Sequence, residues 1–540
     1  MIRFLKYAIP ALLILLAGVL IGYQLRSTGG GSSLTTPGDA SRKLNQALSF
    51  IQERYVEQPD NDALVEAALN GMLESLDPHS VYIPPADASE IHERMEGSFD
   101  GIGVQFSIIE DTIYVEATIP GGPSEQLGIK AGDRIVKVDG KSVAGIQITN
   151  EEVMKRLKGP RGSNVLVAVK RSGVRDLIEF DIKRDKIPLH SLDYAYMIAP
   201  ETGYIRISRF AETTYSEFMD AMSQLQSQGM RRLVLDLRGN PGGYLTMATR
   251  MADEFLAEGE KIVSTMGRAP ESKETYTATA EGVFEQGKVI VLMDYGSASA
   301  SEILAGAVQD HDRGLVVGVR SFGKGLVQIQ EDFKDGSAMR LVVAKYYTPS
   351  GRCIQKPYKK SSAEYEHEII ERFESGEIYD PSKVSFPDSL KFKTANGRVV
   401  YGGGGIFPDV FVPSDTSYFT PYFTQLEAKD LFRLYATQYV DQHPGMDKRY
   451  KNGADFVKNF RMDAAMMQGF LDYAVAKGVK PNPSSYAISR PMIENRLKAF
   501  IGRRLFNEAG FYPTLHQIDP VVQKALELLP DMDALLQPKL

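Results

Sequence analysis

The spacing of apolar positions divides the chain into regions of different period. Leu44, Leu48, Ile51 and Tyr55 recur at helical spacing, as do Leu64, Ala67, Leu69 and Leu73, so residues 41–97 read as a helical region. Beyond it the apolar runs shorten and become β-branched. Thr202–Ile207, Leu233–Leu237, Val289–Met293 and Leu315–Val319 have the length and composition of buried strands, and Met339–Tyr347 reads as a further one. Thr214–Gln228 and Glu302–Val308, lying among them, carry helical patterns. Strands alternating with helices predict an α/β core. Residues 355–399 are charged and rich in tyrosine and interrupt this pattern as an insertion. From 414 to 540 the pattern is helical throughout, with Met462–Tyr473 as one clear case.

Composition adds bounds. The 540 residues suffice for roughly three or four domains. The hydrophobic fraction of 43% supports a sizeable core, and a net charge of −7 leaves no footprint for nucleic acid. Cys353 is the only cysteine, which excludes an internal disulfide and a cysteine-based metal cluster. Arg3 and Lys6 precede the nearly uncharged run Tyr7–Tyr23, which reads as a signal peptide or a single membrane anchor; either exports the body. Ser27–Ala40 is a flexible linker.

The candidate chemistry lies between Lys288 and Gln330. Ser297, Ser299 and Ser301 follow a buried strand and open a helix, whose N-terminal N–H groups can hold an oxyanion. A serine needs a base, and a lysine serves once burial lowers its pKa towards neutrality. Lys324 sits in the tight loop Ser321-Phe322-Gly323-Lys324-Gly325 between apolar runs, poorly placed for a surface charge.

GSASASE followed by FGKG resembles the signature of the carboxyl-terminal processing (tail-specific) proteases, PDZ-containing peptidases with a Ser-Lys dyad. The resemblance implies the middle serine as nucleophile and a lysine 25 positions later, which selects Ser299 and Lys324. It also implies a glutamine four residues after the lysine. Gln328 stands there, on the strand face that would let it accept from the amine. Leu233–Tyr244 matches the family's LDLRxNxGG motif, which implies an oxyanion hole built from the N–H of Gly242 or Gly243 together with that of Ala300. Arg238 then reads as structural. Leu76–Ser80 (LDPHS) also resembles the family, with His79 a turn residue, and the family has an acidic residue at the position of Asp310.

Phe99–Arg184 resembles a PDZ domain. Gly101-Ile102-Gly103-Val104 is the loop type that holds a terminal carboxylate, because glycines let consecutive N–H groups converge on an anion. Ala131–Val143 then reads as a strand and turn, and Thr149–Leu157 as the helix lining the groove.

The expected class is a mixed α+β, multidomain chain: an α/β protease core with an inserted PDZ domain and helical N- and C-terminal regions. The expected segments are 1–26 (signal or anchor), 27–40 (linker), 41–97 (helical), 98–185 (PDZ), 186–413 (core, with insertion 355–399) and 414–540 (helical). The expected function is a serine endopeptidase that processes or degrades exported proteins from non-polar C-termini, at the periplasmic face of a bacterial envelope. Protein substrates with exposed non-polar C-termini are the expected partners. The membrane would be reached through the N-terminal segment, and a homodimer or adaptor through the terminal helices. No nucleic-acid partner, metal or cofactor is expected, since no phosphate-binding loop or dinucleotide fingerprint occurs. The alternative is a PDZ-based scaffold whose protease core is inert. A Ser-His-Asp triad through His311 is discounted because Lys324 fills the base's role, and His367 reads as part of a solvated helix face.

Overall fold

The structure is a computed structural model that describes residues 39–171, 173–279, 282–358, 362–384, 386–413 and 416–538. It divides into a unit ending at Met72 and a unit from Leu73 onward. The first unit holds the helix Asp39–Arg54 and most of the helix Asn61–Glu74. The expected helical periodicity is present, but Asp39–Arg54 buries no residue and leaves Leu44, Phe50 and Ile51 exposed. Among the described residues no helix is long and apolar enough to cross a membrane, and the run Tyr7–Tyr23 lies outside them.

The second unit is built on a six-stranded sheet. Its order is Leu192–Ala199, Thr202–Ile207, Arg232–Asp236, Lys288–Met293, Gly314–Gly318, Val410–Phe411, and every pair after the first is parallel. Parallel strands need cover on both faces, which explains their continuous apolar runs. Leu233, Leu235, Val289 and Val291 face one core with the helices Thr214–Ser227, Leu245–Asp253 and Ala300–Asp310. Val234, Ile290, Leu292 and Val317 face the opposite side, covered by the helix Pro520–Leu528. Each such side chain, taken fully out of water, contributes about 1.5–3 kcal/mol. A second sheet joins Val81–Ile83, Ala338–Tyr347, Lys261–Gly267 and Thr275–Thr277, with Leu326–Asp332 also paired to Ala338–Tyr347. Val81–Ile83 is thus a strand inside the region expected to be helical. Its register, Val81 opposite Arg340, fastens the segment after Leu76–Ser80 to the sheet that carries Gln328.

The PDZ fold leaves the core along Ser98–Gly101 and returns along Asp185–Pro188, which pair antiparallel, as an inserted domain must. Its sheet runs Val104–Ile109, Thr112–Thr118, Arg134–Val138, Asn164–Lys170, Ile178–Lys183, so Val104–Ile109 is an edge strand. Thr149 caps the helix Asn150–Leu157 with a capping box to Glu152. Val153 and Leu157 of that helix share a core with Ile102. The C-terminal helices, among them Leu431–Gln442 and Pro483–Phe506, form their own cores. Arg433 reaches from them to the PDZ domain, donating to Ser107 Oγ at 2.8 Å and pairing with Glu116.

Asp310, at the C-terminal end of the helix Ala300–Asp310, forms a fully buried ion pair with Arg352 at 2.7 Å and accepts from the Ser350 N–H at 3.0 Å. Its place is therefore structural. Removing one member of a buried pair strands the other charge, so Asp310→Ala should lower stability by about 3–5 kcal/mol in chemical denaturation. Asp310→Ala with Arg352→Met should recover most of that loss; a single variant as stable as wild type would contradict the assignment.

Candidate active site

Three loops meet at the carboxyl ends of the parallel strands, where open α/β sheets place their ligands. The first follows Lys288–Met293 and holds the three serines. Ser297 Oγ donates to the Leu237 carbonyl at 2.8 Å, and Ser301 Oγ to the Asn240 carbonyl at 3.0 Å; both residues are fully buried. Ser299 is partly exposed and stands at the N-cap of the helix Ala300–Asp310 with φ 54° and ψ −112°. That backbone is left-handed and costs a non-glycine residue about 1–3 kcal/mol, so the surroundings must impose it.

Glu302 imposes it. The Ser299 N–H donates to Glu302 Oε2 at 2.8 Å, and the Lys324 N–H donates to the same oxygen at 2.9 Å. Glu302 Oε1 accepts from the Gly323 N–H at 2.8 Å and from Ser321 Oγ. The backbone nitrogens of Ser299 and Lys324 can therefore be no farther apart than two hydrogen-bond lengths. Glu302 has no exposed surface, and burial raises its carboxyl pKa to about 7 against the pull of those four donors. A second bridge lies alongside, where the Tyr346 hydroxyl donates to the carbonyls of Ser299 at 3.1 Å and Lys324 at 2.7 Å. Neither Glu302 nor Tyr346 was singled out from the sequence. The glutamate was visible as the last letter of GSASASE, whereas Tyr346 lies 47 residues from Ser299 and gave no local signal.

Lys324 Nζ donates to Gln328 Oε1 at 2.7 Å, and Gln328 Nε2 donates to the His79 carbonyl at 2.6 Å. Gln328 thus holds one N–H of the amine. Burial, helped by the Arg340 guanidinium, lowers the Lys324 pKa to about 8, against smaller opposing effects of Glu302 and Asp77. His79 lies in the turn closed by Asp77, whose Oδ1 accepts the N–H groups of His79 and Ser80, each at 2.8 Å. Burial, and next the Lys324 cation, lower the imidazole to about 4, so His79 is neutral near pH 7.

The third loop brings the glycines. A Cβ on Gly242 would lie 2.8 Å from Ser299 Cβ and 2.9 Å from the Ala300 nitrogen, and Gly242 holds φ +98°. Only glycine fits there. The Gly242 N–H donates to Asn240 Oδ1 at 2.9 Å, and the Asn240 carbonyl accepts the Ala298 N–H at 3.0 Å. Of the two glycines expected at the oxyanion hole, Gly242 therefore already spends its N–H on Asn240. Arg238 binds Asp236 at 2.6 Å and Asp519 at 2.9 Å, which ties the loop to the C-terminal helices and bears out a structural role. His311 lies at the other end of the helix from Ser299, about 18 Å along its axis, and bonds the Lys261 carbonyl. His367 is exposed. Gly101, Ile102, Gly103 and Val104 lie together at the start of the PDZ edge strand, with Gly103 at φ +77° and Ile102 buried.

Models of peptidase family S41 match residues 201–361, of a PDZ domain 114–171, of the N-terminal domain of the activating protease CtpB 25–86, and of a family of unknown function 422–507. The chain is 39% identical over 317 residues to a carboxy-terminal-processing protease of Bartonella bacilliformis, covering 58% of this chain and 72% of that protein. It is 37% identical over 328 residues to the carboxy-terminal processing protease CtpA of Bacillus subtilis, covering 61% of this chain and 69% of that one. A solved photosystem II D1 C-terminal processing protease is 26% identical, covers 70% of this chain and 88% of its own, and superposes with a TM-score of 0.36. At 39% identity over 72% of the Bartonella protein's length, and with the family's peptidase and PDZ models both matching, the chain belongs to the S41 carboxy-terminal processing proteases, which are serine peptidases.

Proposed function

We propose that this protein is an endopeptidase that uses Ser299 as nucleophile and Lys324 as general base on exported proteins with non-polar C-termini. The observation that carries the reading is the fate of the three serines. Two spend their hydroxyls on backbone carbonyls in the core, and Ser299 alone is partly exposed, strained and fastened to the lysine loop. Neutral Lys324 takes the Ser299 proton as Oγ attacks the scissile carbonyl. The N–H groups of Gly243 and Ala300 receive the oxyanion. The ammonium then returns its proton to the leaving amine, and a water activated by the same lysine releases the acyl group from Ser299. Gln328, by holding one N–H, points the lone pair at the hydroxyl.

In the same reading the PDZ domain (98–185) captures the tail for the core (186–413). The loop Gly101–Val104 takes the terminal carboxylate, and the open edge of Val104–Ile109 pairs with the tail as an added strand. The run Tyr7–Tyr23 directs the chain to the envelope, facing the periplasm. The exposed apolar positions of Asp39–Arg54 suit association with a second copy or with a partner helix.

Three measurements test this. Ser299→Ala and Lys324→Ala should each lower cleavage of an apolar-tailed protein by about 10³-fold or more, and the double variant should be little worse, because dyad members act as a unit. Lys324→Arg should be as inactive, since guanidinium stays charged. Near wild-type turnover in either single variant would overturn the dyad and favour an inert scaffold.

The pH profile carries a sign. Only neutral Lys324 accepts a proton, so kcat/KM should climb with unit slope towards pH about 8 and level above it. Below about 7 Glu302 also gains a proton, which turns an acceptor oxygen into a donor facing N–H groups, so the slope should steepen towards two. A flat profile would contradict a lysine base.

Amidating the tail's terminal carboxylate removes a charge-assisted interaction of about 1.5–3 kcal/mol, so KM should rise about tenfold or more while kcat holds. Equal KM for acid and amide tails would return the PDZ domain to the role of a spacer.

A further inference from the structure

The insertion expected at 355–399 lies against the lysine loop, and its contacts there are made by buried charged and polar side chains. Arg372, on the helix Ser362–Glu374 and 3% exposed, donates to the Ser321 carbonyl at 2.7 Å and the Phe322 carbonyl at 3.1 Å. Its Nε is held by Glu368 at 2.8 Å. Lys356, 2% exposed, donates its backbone N–H to the Gly323 carbonyl at 2.9 Å and lays its ammonium 4.1 Å from the centre of the Phe322 ring and 4.2 Å from that of Tyr365. Gln355 Oε1 accepts the Gly325 N–H at 2.8 Å. The backbone of Ser321–Gly325 is therefore gripped from two sides, by Glu302 on the serine side and by the insertion on the other.

Tyr365 extends the grip to the glutamine. Gln355 Nε2 donates to the Tyr365 hydroxyl oxygen at 3.2 Å, and the same hydroxyl is hydrogen-bonded to His79 Nε2 at 2.8 Å. The His79 ring stands edge-on to Tyr365, with centroids 4.9 Å apart. The carbonyl of that same His79 fixes Gln328, and Gln328 fixes the Lys324 amine.

We propose that the insertion is a positioning element for the general base: Tyr365 acts on Lys324 through His79 and Gln328, and Arg372 acts through the carbonyls of Ser321 and Phe322. This rests on the Ser-Lys reading above. The physical need is plain, because a loop of two glycines around the base has little stiffness of its own, and a small misplacement of a reacting group costs rate far more than it costs binding. The insertion supplies stiffness where the loop has none.

The test is a double-mutant cycle on the full chain, read as kcat and KM at pH 9, where the lysine is neutral. Tyr365→Phe keeps the ring and removes one hydroxyl. It should lower kcat about tenfold, the size of one good hydrogen bond, with KM unchanged. In a Gln328→Ala background the same change should add less than a twofold loss, because the relay is already cut. Arg372→Met should lower kcat by at least as much as Tyr365→Phe; if it fails to fold, the tyrosine cycle alone decides. Tyr365→Phe within twofold of wild type, or losses that multiply fully in the double variant, would overturn the proposal. Ser299→Ala assayed in parallel separates the two readings. If it stays active the dyad is wrong, and if it is dead while Tyr365→Phe is unimpaired only the insertion's role is wrong.

Discussion

One buried carboxylate joins the two halves of this site. Ser299 and Lys324 come from different loops, each at the end of its own strand, and one backbone bond, from the Phe322 N–H to the Ser297 carbonyl at 2.9 Å, joins the loops directly. Glu302 accepts the backbone N–H of both on a single oxygen, and Gly323 and Ser321 on the other. A carboxylate is retained at such depth only when its lone pairs are filled, and four donors fill them. The same contacts hold Ser299 in its left-handed backbone. Ser321 carries the constraint onward, since its hydroxyl also accepts the Ile406 N–H at 2.7 Å.

The anion is placed so that it fastens the lysine loop by its backbone and leaves the amine to be tuned by burial. Lys324 is charged at some cost because its side chain is largely withdrawn from water, and the Arg340 guanidinium adds to that cost. Glu302 pulls the other way by charge. The balance leaves the amine largely protonated at neutral pH and available as a base at mildly alkaline pH. The geometry around the amine is equally economical: Gln328 takes one N–H, the His79 carbonyl takes the glutamine's N–H, and the insertion contacts both the lysine loop and the His79 side chain.

Much of this was legible in the sequence, and the reasons differ by part. The parallel strands declared themselves because burial on both faces makes their apolar runs continuous. Ser299 and Lys324 stood out because a serine at a strand-to-helix turn and a lysine between glycines are local patterns, and the family spacing linked them. The PDZ edge strand and its groove helix followed from the glycine loop Gly101–Val104 and the resemblance to a PDZ domain, both local along the chain. What stayed hidden was long-range. The choice between Gly242 and Gly243 depended on an asparagine side chain that satisfies one of them. Tyr346 acts across 47 residues, and Tyr365 reaches His79 across 286. The strand Val81–Ile83 lies where local pattern predicts helix, because its three residues are stabilised by a partner strand more than 250 positions away. The helix Asp39–Arg54 was legible as a helix, but its periodicity could not reveal that its apolar positions stay exposed.

If Lys324 serves as the base for Ser299, its amine must lose its proton at mildly alkaline pH. The direct measurement is an NMR titration of the Lys324 side chain, isotopically labelled at Cε, in the Ser299→Ala protein. A midpoint near pH 8 is the predicted result. A midpoint near the free-lysine value of about 10.4 would contradict the account, because the amine would then be an ordinary cation at every pH at which the enzyme is to work.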